Sequence, residues 1–243
     1  MSGAAHRRWL AAGNTGTPSV VVIDGDPENP NATAWFDTQH EYWGTGSANP
    51  GKLKKAIRNC GSCAGGSASY AWGTAPGSTP QQWATKKVVT EVDGNGDGAQ
   101  TTYYFNPAQQ LLCRSVERVA SGVSIDAASP AVTYWKRDAG GRITDEYKPS
   151  ASSSITLAAN GTVTYTEGAT GVVRRYEHDD HGNLKTEKVK DLATDDEFVV
   201  VRYEYYNAKG ATDSSGVVRT DVLKKVTRFA EEDQSGAEST WGP

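Results

Sequence analysis

The chain has 243 residues, a formal net charge of -4 and 37% hydrophobic residues. That length allows one large all-β domain or two small ones, and the acidic balance argues against a nucleic-acid interface, which needs a basic face. The sequence has no run of about 18 apolar residues, so it predicts no insertion into a membrane. The 7 Trp, 11 Tyr and 4 Phe must supply much of the buried surface, since each aromatic side chain buries about 150–250 Å².

Residues 1–84 are predicted to form an irregular region of β-strands and loops, because Gly, Pro and Ser interrupt its short strand-like runs. One short helix is expected near residues 50–58. There, basic residues surround three apolar ones, Leu53, Ala56 and Ile57. Such a short helix would depend on tertiary docking for its stability.

Cys60 and Cys63 form a C-x-x-C motif in this region, and Cys113 is the one further thiol. Zinc normally takes four ligands, and there is no second C-x-x-C motif. A disulfide between Cys60 and Cys63 and free thiols both remain open, and the disulfide requires an oxidising compartment.

Four tryptophans of the irregular region are candidates for stacking on sugar rings: Trp35, Trp43, Trp72 and Trp83. An aromatic ring presents a flat apolar face that suits the C–H face of a sugar. Packing in the core is the alternative interpretation for each of them.

Residues 85–229 alternate strand-like runs with turns, which predicts an all-β architecture. We expect successive antiparallel β-hairpins that form an extended curved sheet or an open shell segment, with at most one short helix in the whole chain. Asn160-Gly161, between two of the predicted strands, is a strong hairpin signal. Residues 230–243 are expected to form a flexible tail.

A turn motif recurs in this second region. An aromatic strand is followed by Asp138 or Asp179, then by two residues, then by Gly141 or Gly182, and then by a polar and an aliphatic residue. Asp can bond the backbone two residues further on, and Gly adopts a positive φ at no steric cost. The motif therefore predicts β-hairpins with four-residue loops.

Weaker copies of the motif flank these two. Asn207 and Gly210 keep the glycine and replace Asp by Asn. The segment 103–111 keeps the aromatics but has no glycine, and 92–97 keeps Asp and Gly without the Tyr. Because the spacing between copies is irregular, we expect the hairpins to repeat while the connections between them vary.

Asp93, Asn95 and Asp97 carry oxygens at alternate positions of a Gly-rich loop, a pattern that can wrap one Ca²⁺ ion. An EF-hand is excluded, because Tyr104 stands where its bidentate Glu is required. Two interpretations remain open: a looser Ca²⁺ site at the surface, or a plain hairpin turn of the repeat.

Enzyme motifs are missing from the sequence: it has no Gly-x-Ser-x-Gly, His-Glu-x-x-His, phosphate loop or dinucleotide fingerprint. The run from His178 to His181 resembles a metal cluster, but its side chains would splay on a tight turn. Carboxylates such as Asp145 and Glu146 are not distinguished from the other acidic groups. We therefore expect no enzymatic activity.

At the repeated turns the chain resembles the YD-repeat proteins, also called rearrangement-hotspot or Rhs proteins, which are related to the teneurin shell. Their motif is roughly Tyr-x-Tyr-Asp-x-x-Gly-Arg-Leu. It is matched best by Tyr176–Leu184 and next by Tyr134–Ile143, and the resemblance covers roughly residues 85–229. Family members are large, and their strands spiral into a hollow β-cocoon, which in toxin-bearing members encloses a C-terminal effector. This chain is short, its Tyr-Asp pairs are imperfect, and neither a self-cleavage signature nor an effector domain is found in it.

The resemblance implies a non-catalytic structural or interaction module, a segment of a β-shell or cell-surface fibre that associates through its sheet edges. Its partners would be other copies of itself or the rest of a longer protein. No signal peptide follows Arg7 and Arg8, so the chain is either cytosolic or an internal piece of a longer exported protein. The resemblance favours the second, and we expect a fragment of an exported protein, located outside the cell or at its surface. The alternatives are a carbohydrate- or surface-binding domain and, further away, a polysaccharide hydrolase, which would need two facing carboxylates about 5–10 Å apart.

Overall fold

The computed structural model describes residues 38–58, 66–127, 129–205, 223–229 and 239–241. Within them the chain is all-β, as predicted, with sixteen strands, one short 3-10 turn at Pro149–Ala151 and no α-helix. None of the described segments is a helix with the length and apolar character that a membrane crossing requires.

The strands are, in chain order, β1 Thr38–Tyr42, β2 Leu53–Arg58, β3 Gly66–Thr74, β4 Thr85–Val92, β5 Gly98–Phe105, β6 Leu111–Ala120, β7 Val123–Ser124, β8 Ala131–Arg137, β9 Ile143–Tyr147, β10 Ser152–Leu157, β11 Val163–Glu167, β12 Val172–His178, β13 Leu184–Asp191, β14 Glu197–Tyr205, β15 Leu223–Arg228 and β16 Ser239–Trp241.

Fourteen of these strands belong to one sheet, in the hydrogen-bonded order β1-β2-β3-β4-β5-β6-β8-β9-β12-β13-β14-β15-β16, with β7 paired to β6. β10 and β11 form a separate two-stranded sheet. Most neighbours in the sheet are also neighbours in the chain and pair antiparallel, so the predicted succession of antiparallel hairpins is confirmed.

Contacts divide the chain into two compact units, each with its own packing. The first comprises Met1–Thr74, Thr85–Tyr104 and Arg114–Ala131, and the second Ala75–Ala84, Phe105–Cys113 and Val132–Pro243. The units are interleaved, so neither is one continuous stretch of the sequence.

In the first unit, the segment predicted to be helical near residues 50–58 is a strand, which corrects that prediction. β2 is hydrogen-bonded to β1 on one side and to β3 on the other. Ala56 lies opposite Ala68, and both are buried, at 8% and 7% exposure. Six residues are too few to hold an isolated helix, whereas two flanking strands satisfy the backbone donors and acceptors of this segment.

The second unit is packed around aliphatic and aromatic residues, of which Leu112, Cys113, Ala151 and Val173 are fully buried. Three tyrosines cluster beside them. Tyr134 stacks on Tyr147 and Tyr165, with ring centroids 5.9 and 5.2 Å away, and the last two rings are 4.2 Å apart. The aromatic side chains therefore supply buried surface here, as the composition predicts.

Candidate functional site

The turn at Asp138–Arg142 is closed by two backbone hydrogen bonds. The N–H of Asp138 donates to the carbonyl of Arg142 at 2.9 Å, and the N–H of Gly141 donates to the carbonyl of Asp138 at 3.0 Å. Gly141 has a φ of 82°, and the strand register shifts between Lys136 and Arg137. This is a type I turn followed by a left-handed residue. The loop inside the closing pair has three residues and not the predicted four, because the left-handed residue forms a bulge that joins the strand.

Four further turns are closed by the same two bonds, at residues 93–97, 106–110, 158–162 and 179–183. We call these five segments the hairpin corners. The fourth residue of each corner has a positive φ: 85° at Gly96, 60° at Gln109, 82° at Gly141, and 89° at both Gly161 and Gly182. The repeated turn is therefore a repeated backbone conformation.

The first residue of a corner also binds the loop through its side chain. Oδ1 of Asp179 accepts the N–H of His181 and of Asn183, each at 2.9 Å, and Oδ1 of Asp138 accepts the N–H of Arg142 at 2.9 Å. Desolvation raises the pKa of Asp138 and of Asp179, but the hydrogen bonds from the loop outweigh it and hold each pKa below the ordinary 3.8. The ionised carboxylate therefore stabilises the turn.

Two corners reach the same geometry with other residues. Oδ1 of Asn106 accepts the N–H of Gln110 at 2.9 Å, and Gln109 adopts the left-handed conformation that glycine takes elsewhere. Ala158 has no side-chain acceptor, and instead Oδ1 of Asn160 accepts the N–H of the last corner residue at 3.0 Å. The sequence indicated the first as a weak copy and the second as a hairpin, but not that both share one geometry.

Successive corners of the second unit contact each other. A Cβ at Gly141 would lie 3.0 Å from Oε1 of Gln110, and a Cβ at Gly182 would lie 3.2 Å from Nη1 of Arg142. The side chain of the last residue of one corner thus lies against the glycine of the next corner. We call the three corners joined in this way, 106–110, 138–142 and 179–183, the corner row.

Arg137 provides a second link between neighbouring hairpins of this row. Its Nη1 donates to the carbonyl of Gly141 at 2.7 Å, and its Nη2 donates to the carbonyl of Leu111 at 3.0 Å. Desolvation lowers the pKa of its guanidinium. The side chain therefore joins two neighbouring hairpins through their backbones.

The loop predicted as a Ca²⁺ site uses its carboxylates internally. Oδ1 of Asp93 accepts the N–H of Asn95 at 2.8 Å and of Asp97 at 3.0 Å, and Oδ1 of Asp97 accepts the N–H of Ser121 at 3.0 Å. The bond from the Asp97 N–H is the main cause of the lowered pKa of Asp93. These bonds support the hairpin-turn interpretation, and the Ca²⁺ site stays a prediction.

The run from His178 to His181, considered as a metal cluster, overlaps the corner 179–183. Asp179 closes the corner, and desolvation, followed by the charge of Arg142, lowers the pKa of His178. Within the part of the chain that the structure describes, no group of three or more His, Cys, Asp or Glu side chains is placed to hold a metal ion.

Several predicted site residues lie outside the described residues: Trp35, Cys60, Cys63, Asn207 and Gly210. Cys113 is described, and it is fully buried and unpaired. Burial raises the pKa of its thiol to about 12, so the thiol is protonated and unreactive at neutral pH.

The three described tryptophans of the stacking set differ in their surroundings. Trp83 is 8% exposed and its Nε1 donates to the carbonyl of Ala158 at 2.8 Å, so its ring is a packing element and not an open face. Trp72 is half-buried, and its Nε1 donates to the carbonyl of Leu53 at 3.1 Å. Trp43 is half-buried, and its indole N–H has no partner among the described residues.

Asp145 and Glu146, the pair considered for acid–base chemistry, are adjacent on β9 and therefore point to opposite faces of the sheet. Oδ1 of Asp145 lies 3.3 Å from Nε of Arg175. Glu146 binds Lys148 at 2.6 Å and accepts the hydroxyl of Tyr176 at 3.1 Å. Each carboxylate is thus engaged by a cation, and the two do not face one another.

Asp145 is one end of a ladder of charges that runs across the strands of the second unit. Arg175 lies opposite Asp145 on β12 and also pairs with Glu197 at 2.7 Å, and Glu197 in turn binds Lys188 at 3.0 Å. Sequence reasoning missed this ladder. The signal was present as charges at alternate positions of neighbouring strands, but the register needed to pair them is set by the hairpins.

Comparisons with known proteins give weak likenesses. No protein-family model matches the chain, and no curated protein matches it. A crystal structure of TcdB2-TccC3 is 12% identical with a TM-score of 0.30, over 85% of this chain and 11% of that chain. The Photorhabdus luminescens Tc holotoxin pore with a TccC3 mutation is 12% identical with a TM-score of 0.29, over 82% of this chain and 11% of that one. The chain thus spans about a tenth of the length of these structures, and its function has to be argued from its own geometry.

Proposed function

We propose that this chain is a non-catalytic structural module, a segment of a β-wall of the YD-repeat type. In this proposal it is located outside the cell or at its surface, and its sheet edges join the rest of a longer protein or another copy of the chain. The observation that carries the proposal is the corner row, in which one turn geometry recurs and each corner covers the glycine of the next.

A row of this kind suits a β-wall because contacts with the adjacent hairpins hold each hairpin in place. Gln110 and Arg142 place successive corners in register, and Arg137 ties two hairpins through their backbones. Repeat arrays gain stability as a sum of such neighbour contacts. The wall can therefore be extended by further hairpins without a new core.

The tyrosines of the motif also fix neighbouring strands to one another. The hydroxyl of Tyr176 donates to Oε2 of Glu146 at 3.1 Å, and the hydroxyl of Tyr203 donates to Oε1 of Glu187 at 2.6 Å. Each bond joins a tyrosine to a strand that precedes it in the sheet. Desolvation, with the neighbouring carboxylate, raises the pKa of each hydroxyl to about 12, so both remain donors at neutral pH.

The ends of the sheet order, β1 and β16, are where another chain would pair in this proposal. An edge strand presents N–H and C=O groups that can pair with a further strand. Proline removes one N–H. Alternate residues of a strand direct their N–H groups to opposite sides, so the substitutions Gln39→Pro and His40→Pro test the two sides of β1 separately.

Sedimentation velocity over rising protein concentration tests the proposal. We expect the unmodified chain to associate, and we expect one of the two proline variants to keep its thermal transition while losing association. The other variant should lose stability, because it breaks the pairing of β1 with β2. A chain that stays monomeric at every concentration would contradict pairing with another copy of the chain, and equal association of both proline variants would contradict pairing through β1.

A further inference from the structure

The β10–β11 hairpin is an insertion between two strands of the large sheet that are hydrogen-bonded to each other. β9 and β12 pair in register, with Tyr147 opposite Val173 and Glu146 opposite Arg174, although residues 148–171 separate these strands in the chain. Within this insertion, β10 and β11 form a two-stranded sheet of their own. The pairing of the large sheet from β9 to β12 therefore does not depend on a strand of the hairpin.

The insertion leaves the sheet and returns to it at one point, which we call its base. The N–H of Gly168 donates to the carbonyl of Ala151 at 2.8 Å, and the hydroxyl of Tyr165 donates to the same carbonyl at 2.6 Å. A Cβ at Gly171 would lie 2.5 Å from the carbonyl carbon and oxygen of Ser150. Because the two ends of the insertion lie against each other, motion of the hairpin about this base leaves the pairing of β9 with β12 in place.

The hairpin has one polar face and one apolar face. Four side chains of the polar face carry hydroxyls and are exposed: Ser154, Thr156, Thr164 and Thr166. The alternate positions are half-buried and point to the other side: Ile155, Leu157, Val163 and Tyr165. The ring of Tyr165 stacks on the sheet, with centroids 5.2 Å from Tyr134 and 4.2 Å from Tyr147. The apolar face therefore covers an aromatic surface of the large sheet.

The tip of the hairpin is held by residues 75–84, which belong to the same unit. The N–H of Trp83 donates to the carbonyl of Gly161, and its Nε1 donates to the carbonyl of Ala158, each at 2.8 Å. A Cβ at Gly161 would lie 2.7 Å from the carbonyl oxygen of Trp83 and 2.9 Å from Cα of Gly77. Trp83 therefore fastens the hairpin at its tip, the end away from the base.

We infer that the β10–β11 hairpin is a lid, fastened by Trp83, that opens as one unit while the large sheet stays folded. A two-stranded hairpin by itself is marginally stable in water, so the lid depends on its attachments at the tip and at the tyrosine stack. Such segments open locally at a lower free energy than the whole domain. Opening presents the rings of Tyr134 and Tyr147 to solvent. This device goes beyond the proposed wall and does not rest on it.

Native-state hydrogen exchange of the full chain, at urea concentrations below the unfolding transition, tests the lid. We expect the amides of β10 and β11 to exchange together and faster than those of β12 and β13. Their exchange should also depend less on urea, since opening the lid exposes less surface than unfolding does.

Trp83→Phe keeps an aromatic ring and removes the Nε1 donor to Ala158. Lid exchange should become roughly 2- to 10-fold faster, which is the effect of one hydrogen bond on an equilibrium, while exchange in β12 and β13 stays the same. Trp135→Phe is the matched control. Trp135 follows Tyr134 on β8 and points to the opposite face of the sheet, so its loss should not change lid exchange relative to β12 and β13.

Gly161→Ala is a second variant that loosens the tip if Trp83→Phe does not fold. Gly182→Ala is its matched control, because both glycines have a φ of 89° and Gly182 lies outside the lid. We expect faster lid exchange in Gly161→Ala and not in Gly182→Ala.

Two results would overturn the inference. One is a lid whose amides exchange only through the global unfolding that also exposes β12 and β13. The other is a tip variant that speeds exchange in the lid and in the large sheet equally. Because the lid contains neither β1 nor β16, hydrogen exchange of the lid and sedimentation of the chain separate failure of this inference from failure of the proposed wall.

Discussion

Replacing Gly141 by Ala tests whether the corner row stabilises the second unit. Gly141 has a φ of 82°, and a Cβ there would lie 3.0 Å from Oε1 of Gln110. That oxygen accepts the amide of Asn106 at 2.8 Å. The substitution therefore strains the backbone of one corner and presses on a hydrogen bond in the preceding corner.

The size of the effect follows from these two contacts. A residue other than glycine in the left-handed region costs about 1–2 kcal/mol. Displacing Gln110 weakens one hydrogen bond worth about 1 kcal/mol, and Ala returns about 0.4–1 kcal/mol by restricting the unfolded chain. We expect a net loss of about 1–2 kcal/mol, or roughly 2–8 °C in the melting temperature of a chain of this length.

Urea unfolding followed by tryptophan fluorescence measures this loss, and Gly46→Ala is the matched control. A Cβ at Gly46 would meet nothing within 4 Å, and its φ lies outside the left-handed region. We expect this control to be neutral or slightly stabilising. Hydrogen exchange should show faster exchange in both the 106–110 and the 138–142 corners of Gly141→Ala. Equal stability of the two variants, or an effect confined to one corner, would refute the idea that corners stabilise their neighbours.

Further predictions concern charge. Asp138→Asn keeps the Oδ1 acceptor that the turn uses, so urea unfolding should show a smaller loss than the roughly 0.5–1.5 kcal/mol expected when Asp138→Ala removes that hydrogen bond. Because the pKa values of Asp138 and Asp179 are lowered in the fold, their contribution is complete above the unfolded value near 4 and is lost as pH falls through the folded values. Acid titration of stability should therefore be less steep in Asp138→Asn, and an unchanged slope would contradict this. Arg175→Ala leaves the buried Asp145 without its guanidinium and should cost about 1–3 kcal/mol by thermal melting. Arg118→Ala removes a more exposed pair and should cost less than Arg175→Ala, because solvent screens exposed ion pairs; equal losses would count against the ladder.

The hairpin corners show how much of the structure could be predicted from the sequence. Asp and Gly at Asp138 and Gly141 predicted the turn because each residue type has a local conformational preference. Gln109 was missed as a left-handed position, since that conformation is imposed on glutamine by the hairpin around it. The segment Leu53–Arg58 was misassigned as a helix for a related reason: two neighbouring strands decided its conformation, and they cannot be seen in its own spacing of apolar residues.

Local preference thus determined the all-β class and the positions of the hairpin turns, because turn chemistry and strand propensity act within a few residues of the chain. The tertiary structure decided which groups meet. The pairing of Trp72 with Lys87, the contact of Arg142 with Gly182 and the ladder from Asp145 through Arg175 all depend on strand register. A shift of register by one residue would turn these side chains to the opposite face. The candidate site therefore became visible once the register was known.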